Sequence, residues 1–287
     1  RSGRPVALQP SAEESFRTDC RHASVYKVRT GVKSDGTLVA QDIVLAMDKG
    51  AYGHGGMNVP RRASSLSMGP YRLPNFRVVC RNYYTNKVPS GAMRALGRAQ
   101  TTWAYESHYD EIARKLGIEP GEFRLKNYLK RGDRILESLG PIDSDMDDLQ
   151  AKAIEAIGWD GRSSRVKPDL GEPYLSGPPV RGRAISATIR HGHSGTNVSN
   201  VEVKVDRRGV VRVLHSGAEL GMGIYNMMHR VVLETLGLPA DKVEISHPST
   251  AHPYSDGIGS SKNTVSMGNA TQRACEDLRE QILEMAP

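Results

Sequence analysis

Apolar and polar positions along this chain change rhythm in a repeated order. In "SVYKVRTGVKSDGTLVAQDIVLAMDKGAY" two alternating runs flank Asp35-Gly36. Period-two alternation gives each strand one apolar face, and Asp-Gly suits a tight reversal, so the stretch predicts a β-hairpin. Gly-rich "KGAYGHGGMN" follows as an irregular loop, and "FRVVCRNYYTN" reads as a further strand that ends ahead of Pro89. From about Ala99 the spacing lengthens to three and four: Trp103, Tyr105, Ile112 and Leu116 predict a helix that Gly117 stops. "EPGEFRLKNYL" predicts a shorter helix, and "MDDLQAKAIEAIGW" another with Asp147 as N-cap.

Residues 161–182, "GRSSRVKPDLGEPYLSGPPVRG", are rich in Pro, Gly and Ser and read as a linker between domains at 1–160 and 183–287. Beyond it the grammar restarts. "ISATI" reads as a strand and "NVEVKVDRRGVVRVL" as a hairpin turning near Arg208-Gly209. Gly-rich "SGAELGMG" leads into the helix "IYNMMHRVVLETLG", ended by Gly237. The strand "KVEISHP", the polar loop "YSDGIGSSKNT" and the helix "SMGNATQRACEDLREQILEM" complete the chain. Each half runs strands, Gly loop, helix. The fold class is α+β, with mixed or antiparallel sheets and packed helices rather than a doubly wound parallel sheet.

Composition narrows the function classes. At 287 residues, 38% hydrophobic and 25% charged, the chain can bury a sizeable core in about two domains. No apolar run approaches the roughly 18 residues that span a bilayer. The net charge of +7 suggests polyanions. Yet the basic residues are interleaved with acidic ones, as in "ARKLGIEPGEFRLKNYLKRGD", and form no nucleic-acid-binding arm. Cys20, Cys80 and Cys275 are scattered, odd in number and without CxxC spacing. They make no zinc or iron–sulfur site and no disulfide framework, which points to a reducing, cytoplasmic setting. Cys275 reads as a small buried thiol. "RSGRPVALQP" opens mid-pattern without an initiator Met, which suggests one piece of a longer subunit.

Three Gly/Ser loops lead into helices, at residues 88–99, 217–224 and 255–266. Helix N-termini present unpaired N–H groups and the positive end of a dipole, which favour anions such as phosphate. The first loop frames Arg94 with small residues. By spacing alone, the three are either ordinary strand-to-helix turns or the walls of a site for a large polar cofactor. "GMG" is no dinucleotide fingerprint, because GxGxxG spacing fails. His191 and His193 lack a third ligand and read as surface groups. Arg61-Arg62 suits solvation or an acidic ligand. "DSDMDD" lacks the spacing of a calcium loop and reads as a solvated helix start.

Taken in order, these stretches resemble the molybdenum-binding subunit of the xanthine dehydrogenase/aldehyde oxidase family, the molybdenum hydroxylases. "GRPVALQPSAEESF" with the later "RH" resembles the family's G-R-P-V segment and Gly-Arg-His. "GAMRALGRAQ" resembles A-F-R-G-F-G-x-P-Q, and "EIARKLGIEPGEFRLKNYLKRGD" resembles its helix pair. "GAELGMG" matches G-x-E-M-G-Q-G, and "LGLPADKVEI" with "GIGSSKNTVSMGNA" matches a further cofactor loop.

The resemblance implies two molybdopterin-binding-type domains, both incomplete, and a molybdopterin in its cytosine dinucleotide form. Ala92 and Arg94, then Leu220, Gly221 and Met222, then Ser260, Ser261, Lys262 and Asn263 fall at the family's cofactor contacts. Arg62, aligned by the downstream "YRLPN", takes the place of a substrate-orienting arginine, with Leu96 and Thr188 also at substrate positions. Met222 replaces the family's glutamine, removing a side-chain hydrogen bond. Leu96 and Ala187 stand where purine-oxidising members carry two phenylalanines. Without aromatic faces the pocket suits an aldehyde, an acyl-CoA-like or aliphatic molecule or a differently held ring, and not xanthine. The family's catalytic base, a glutamate in G-x-x-E, is expected beyond Pro287, so the chain alone is expected to be inactive. The implied partners are iron–sulfur (2Fe–2S) and FAD subunits or domains, with the complete assembly a dimer. The alternative is a non-catalytic assembly module of the same fold without cofactor.

Overall fold

The structure is a computed structural model that describes residues 3–4, 6–52, 58–137, 140–161, 183–190, 198–256 and 259–285. Contacts divide the chain into two compact units, Arg1–His191 and Gly192–Pro287.

The first unit opens with a short helix, α1 (Ala12–Thr18), started by a capping box in which Ser11 and Glu14 bond each other's backbone N–H. β1 (Ser24–Val32) and β2 (Leu38–Gly50) pair antiparallel, and β3 (Asn75–Tyr84) joins β2 in parallel, giving the order β1-β2-β3. The hairpin turns where the pattern predicts. Asp35 accepts the Thr37 N–H at 3.0 Å, and Gly36 takes a φ of +85°. A β-carbon at Gly36 would lie 2.6 Å from Ile118 Cδ1, so the turn needs glycine for space as well as conformation. Alternation along β2 buries Ile43, Leu45 and Met47 against Val59 and Ala63 of α2 (Asn58–Ser65).

α3 (Arg98–Leu116) packs beside β1, α4 (Pro120–Asn127) packs on α3, and α5 (Met146–Ile157) packs on α4. Their core is aromatic. The Tyr71 ring meets Tyr109 edge-on at 4.8 Å and stacks with Tyr128 at 5.4 Å. Among these rings lies a buried ion pair: Arg124 donates to Glu106 Oε2 from Nε at 2.8 Å and from Nη2 at 2.7 Å. The Tyr71 hydroxyl donates to the other Glu106 oxygen at 2.5 Å, and Asp110 takes a further Arg124 N–H at 2.8 Å. Every oxygen of Glu106 is thereby satisfied, the condition for burying a charge.

The second unit repeats the scheme. β4 (Glu202–Val205) and β5 (Val211–Leu214) form the expected hairpin, and β6 (Val243–Ile245) pairs with β5 in parallel. α6 (Ile224–Leu236) and α7 (Asn263–Met285) pack on this sheet around Val213, Met228, Val232, Met267 and Cys275. Burial raises the Cys275 thiol to about 11, so it behaves as an apolar group. The α+β class with small mixed sheets is the observed one.

Several local expectations differ. "ISATI" forms no strand: residues 183–190 have no sheet partner among the described residues and lie with the first unit. There Tyr105 Oη donates to the Ala187 carbonyl at 3.1 Å, and the Thr102 and Thr188 hydroxyls are 3.0 Å apart. The compact units part after residue 191. The N-cap of α5 is Asp145, which accepts the N–H groups of Asp147 and Asp148, not Asp147 itself. Trp103 is 75% exposed, and the buried stripe of α3 runs through Thr101, Tyr105, Tyr109 and Ile112 instead. The pattern did not anticipate α1 or α2, and α7 starts three residues before its expected origin. Linker residues 162–182, together with His191 and His193, lie outside the described residues.

Candidate functional site

The Arg94 loop is fixed from beneath by the segment before β1. Cys20 N–H donates to Pro89 O at 3.1 Å, Gly91 N–H to Cys20 O at 3.0 Å, and Ser90 N–H to Lys49 O at 2.8 Å. A β-carbon on Gly91 would fall 2.5 Å from an Asp19 carboxylate oxygen, so the close approach requires glycine. Arg21 Nη2 then donates to the Arg94 carbonyl at 2.8 Å, while Gln100 Nε2 donates to the His22 carbonyl at 3.2 Å. On the far side Gly97, at φ +71°, abuts α2. A methyl there would stand 2.7 Å from Ala63 N and Val59 O. Ala95 adopts a left-handed φ of +61°, a strained choice for a residue with a β-carbon.

Between these anchors Ala92, Met93 and Arg94 are consecutively exposed. Among the described residues the Arg94 guanidinium makes no hydrogen bond or ion pair. The structure therefore presents a rigidly based, cationic, outward-facing loop. His22, beneath it, is 2% exposed, and burial together with the charge of Lys49 holds its imidazole pKa down.

The residues that the family resemblance marks as substrate positions are distributed unevenly. Arg62 is half-buried on α2. Burial first, then the nearby charges of Arg61 and Arg190, lower its pKa, so positive charge gathers on this side of the unit. Leu96 is half-buried and packs on the Val59–Ala63 core. Ala187 is buried in the aromatic core, and Thr188 is exposed. Thr188 lines a cleft of about 460 Å³ with Ala95, Arg98, Thr102, Trp103 and Ser186, floored by Glu106 and Arg124.

In the second unit the loop before α6 turns on Gly221 (φ +92°) and Gly223 (φ +83°). Leu220 is 74% and Met222 48% exposed, and Met222 Sδ accepts the Leu220 N–H at 3.4 Å. The loop before α7 passes through a 3-10 turn, Gly259–Ser261, with Ser261 at φ +55°. Ser260 lies in that turn. The Lys262 ammonium turns back to Asp256, 2.6 Å from its carbonyl and 3.0 Å from its carboxylate. Asn263 starts α7, is 9% exposed, and its Oδ1 has no hydrogen-bond partner among the described residues.

Sequence patterns missed three of the groups that shape these loops: Arg21, Gln100 and Glu219. The first two stood in quoted motifs, but only their 79-residue separation closed in space shows what they do.

Two molybdopterin cofactor-binding domain families match the chain, one over residues 1–128 and the other over 152–287. The chain belongs to the molybdopterin-binding subunits of the xanthine dehydrogenase/aldehyde oxidase family. Among its relatives, a probable xanthine dehydrogenase subunit of Bacillus subtilis is 30% identical across all of this chain and 38% of its own length. The aldehyde oxidoreductase of Megalodesulfovibrio gigas is 28% identical over 96% of this chain and 30% of its own length. The chain thus spans well under half of these relatives. Reconstituted CO dehydrogenase from Oligotropha carboxidovorans shares the fold, with a TM-score of 0.68 at 17% identity over 95% of this chain and 36% of that one. Among the described residues no helix is long and apolar enough to cross a membrane.

Proposed function

We propose that this chain supplies the molybdopterin-contacting loops of a molybdenum hydroxylase acting on an aldehyde or heterocycle other than xanthine. The observation that carries the reading is the Ala92–Arg94 stretch, exposed and cationic on an anchored base, in a chain whose two halves both match cofactor-binding families. The unsatisfied Asn263 Oδ1 fits the same reading, since a buried acceptor calls for a donor and a pterin is rich in N–H groups.

When bound, the cofactor supplies the two-electron oxidation that inserts water-derived oxygen at an electrophilic carbon. Arg94 gives charge-assisted hydrogen bonds to its acceptor oxygens, and the Ala92 backbone approaches closely. Within the second unit, Leu220, Gly221 and Met222 ahead of α6 and Ser260, Ser261, Lys262 and Asn263 at the start of α7 are the residues that would offer pterin contacts. Lys262 acts through the position of its backbone, because Asp256 holds its ammonium. Arg62, in a field reinforced by Arg61 and Arg190, orients a substrate carbonyl or carboxylate. Leu96 and Ala187 offer no ring to stack on, while Thr188 offers a hydroxyl. Iron–sulfur and FAD partners carry electrons away in a cytoplasmic, dimeric assembly. The cofactor is taken as its cytosine dinucleotide form.

Elemental analysis for molybdenum and pterin fluorescence after oxidative release test the cofactor. Their joint absence from the assembled complex ends this reading in favour of a cofactor-free module. That second reading draws on Met222, whose sulfur folds onto Leu220 N–H instead of offering an amide. Turnover in which xanthine is the best substrate would overturn the assignment of substrate class.

A further inference from the structure

The loop 219–224 is built like an anion site, yet its donors are already used. Gly221 and Gly223, both at positive φ, turn successive N–H groups into one concavity ahead of α6, the arrangement that elsewhere cradles phosphate. The occupant is Glu219. Its Oε1 accepts from Gly221 N at 2.6 Å and Gly223 N at 3.1 Å, and its Oε2 accepts from Ile224 N at 2.6 Å. Those bonds, Gly223 foremost, hold the carboxyl below its ordinary range. α6 has no other side-chain cap, since its N-cap is Gly223. With the carboxylate inside, the backbone between the glycines can only bulge outward, which leaves Leu220 and Met222 exposed on a loop of fixed shape.

We infer that Glu219 is a positioning residue: an internal anion that sets the Leu220–Met222 loop for the pterin and, by filling the helix terminus, excludes phosphate from it. The role rests on the cofactor reading above. It assigns the loop to the flat, uncharged part of the ligand and leaves the phosphates to other elements.

Backbone hydrogen exchange followed by NMR on the 287-residue chain tests it, comparing wild type with Glu219→Ala and Glu219→Gln. The amides of Gly221, Gly223 and Ile224 should exchange roughly tenfold faster or more in Glu219→Ala, as expected for lost hydrogen bonds to a charged acceptor. Glu219→Gln, which keeps one accepting oxygen, should be intermediate and covers the case in which the alanine variant fails to fold. Added formate should restore slow exchange in Glu219→Ala, and inorganic phosphate should shift these amide resonances in that variant but not in wild type. Unchanged exchange in the variants, or an equal response of wild type to phosphate, overturns the internal-anion role. Pterin content of the assembled complex should fall in step with exchange across the series, and full pterin retention in a folded Glu219→Ala complex overturns the positioning role. A wild-type complex without pterin would defeat the cofactor reading instead, and the exchange result would stand apart from it.

Discussion

Arg124 Nη2 lies 2.7 Å from Glu106 Oε2, with 0% of the arginine side chain and 6% of the glutamate side chain exposed. The pair joins α3 to α4 inside a shell of tyrosines. Burial raises the Glu106 pKa, and Arg124 opposes that rise. Glu106→Ala should therefore destabilise the first unit by about 3–5 kcal/mol, because it removes the buried carboxylate that accepts from Arg124 Nε and Nη2 and leaves a desolvated guanidinium with Asp110 as its remaining ion-pair partner. Removing both with Glu106→Ala/Arg124→Met should cost less than Glu106→Ala and Arg124→Met added together. Denaturant midpoints for the three variants check this, and strict additivity would contradict it.

Gly97 is squeezed between the Arg94 loop and α2. Gly97→Ala combines a left-handed φ with a 2.7 Å approach to two backbone atoms, neither of which can rotate away. The expected loss is well above the roughly 1–2 kcal/mol of the conformation alone. Gly237→Ala is the control, since φ is +66° but nothing lies within 4 Å of the added carbon. Thermal unfolding should rank Gly97→Ala far below Gly237→Ala.

Arg94→Ala should leave stability within about 0.5 kcal/mol of wild type, as expected of an exposed side chain away from packing. Pterin content after oxidative release from the assembled complex should nonetheless fall. Arg21→Ala removes the 2.8 Å bond to the Arg94 carbonyl and should lower pterin content while Arg94 itself stays in place. Full pterin retention in both variants would contradict the placement of the cofactor against this loop.

His22, His108 and His215 all have pKa values lowered mainly by burial. A folded-state pKa below the unfolded 6.5 means that the unfolded chain binds protons first as pH falls. Stability is then complete above about pH 6.5 and declines as pH drops below it toward the folded values. His215→Gln should flatten that decline in the second unit. Urea unfolding at pH 7.5, 6.0 and 5.0 gives the slope, and an increase in stability on acidification over this range would reverse the sign.

Both hairpins and five of the helices were legible, because their signals are local: alternation around Asp35-Gly36 and Arg208-Gly209, and glycine stops at Gly117 and Gly237. The N-cap at Asp145 was missed by two residues, since any of several acids in "DSDMDD" can cap and only backbone path selects one. α2 was hidden by the glycines before it, although Pro60 suits a helix's first turn. "ISATI" alternates like a strand, but alternation reports one buried face and not a neighbour to bond with. There the neighbour is a tyrosine hydroxyl of α3. The three Gly/Ser loops stand out by composition, whereas the part played by Glu219 does not, since nothing in its spacing says which way a carboxylate turns.

By itself the sequence determined the class, both hairpins, five of the helices and the family, because periodicity, turn residues and motif spacing are properties of short stretches. Only the tertiary structure decided which groups in those stretches remain available. Arg21 reaches Arg94 across 73 positions, Gly97 meets α2, and the ammonium of Lys262 is spent on Asp256 while the guanidinium of Arg94 faces outward. The physical reason is that a side chain's chemistry belongs to its residue type, but whether its hydrogen bonds are satisfied depends on segments that meet only when the chain folds.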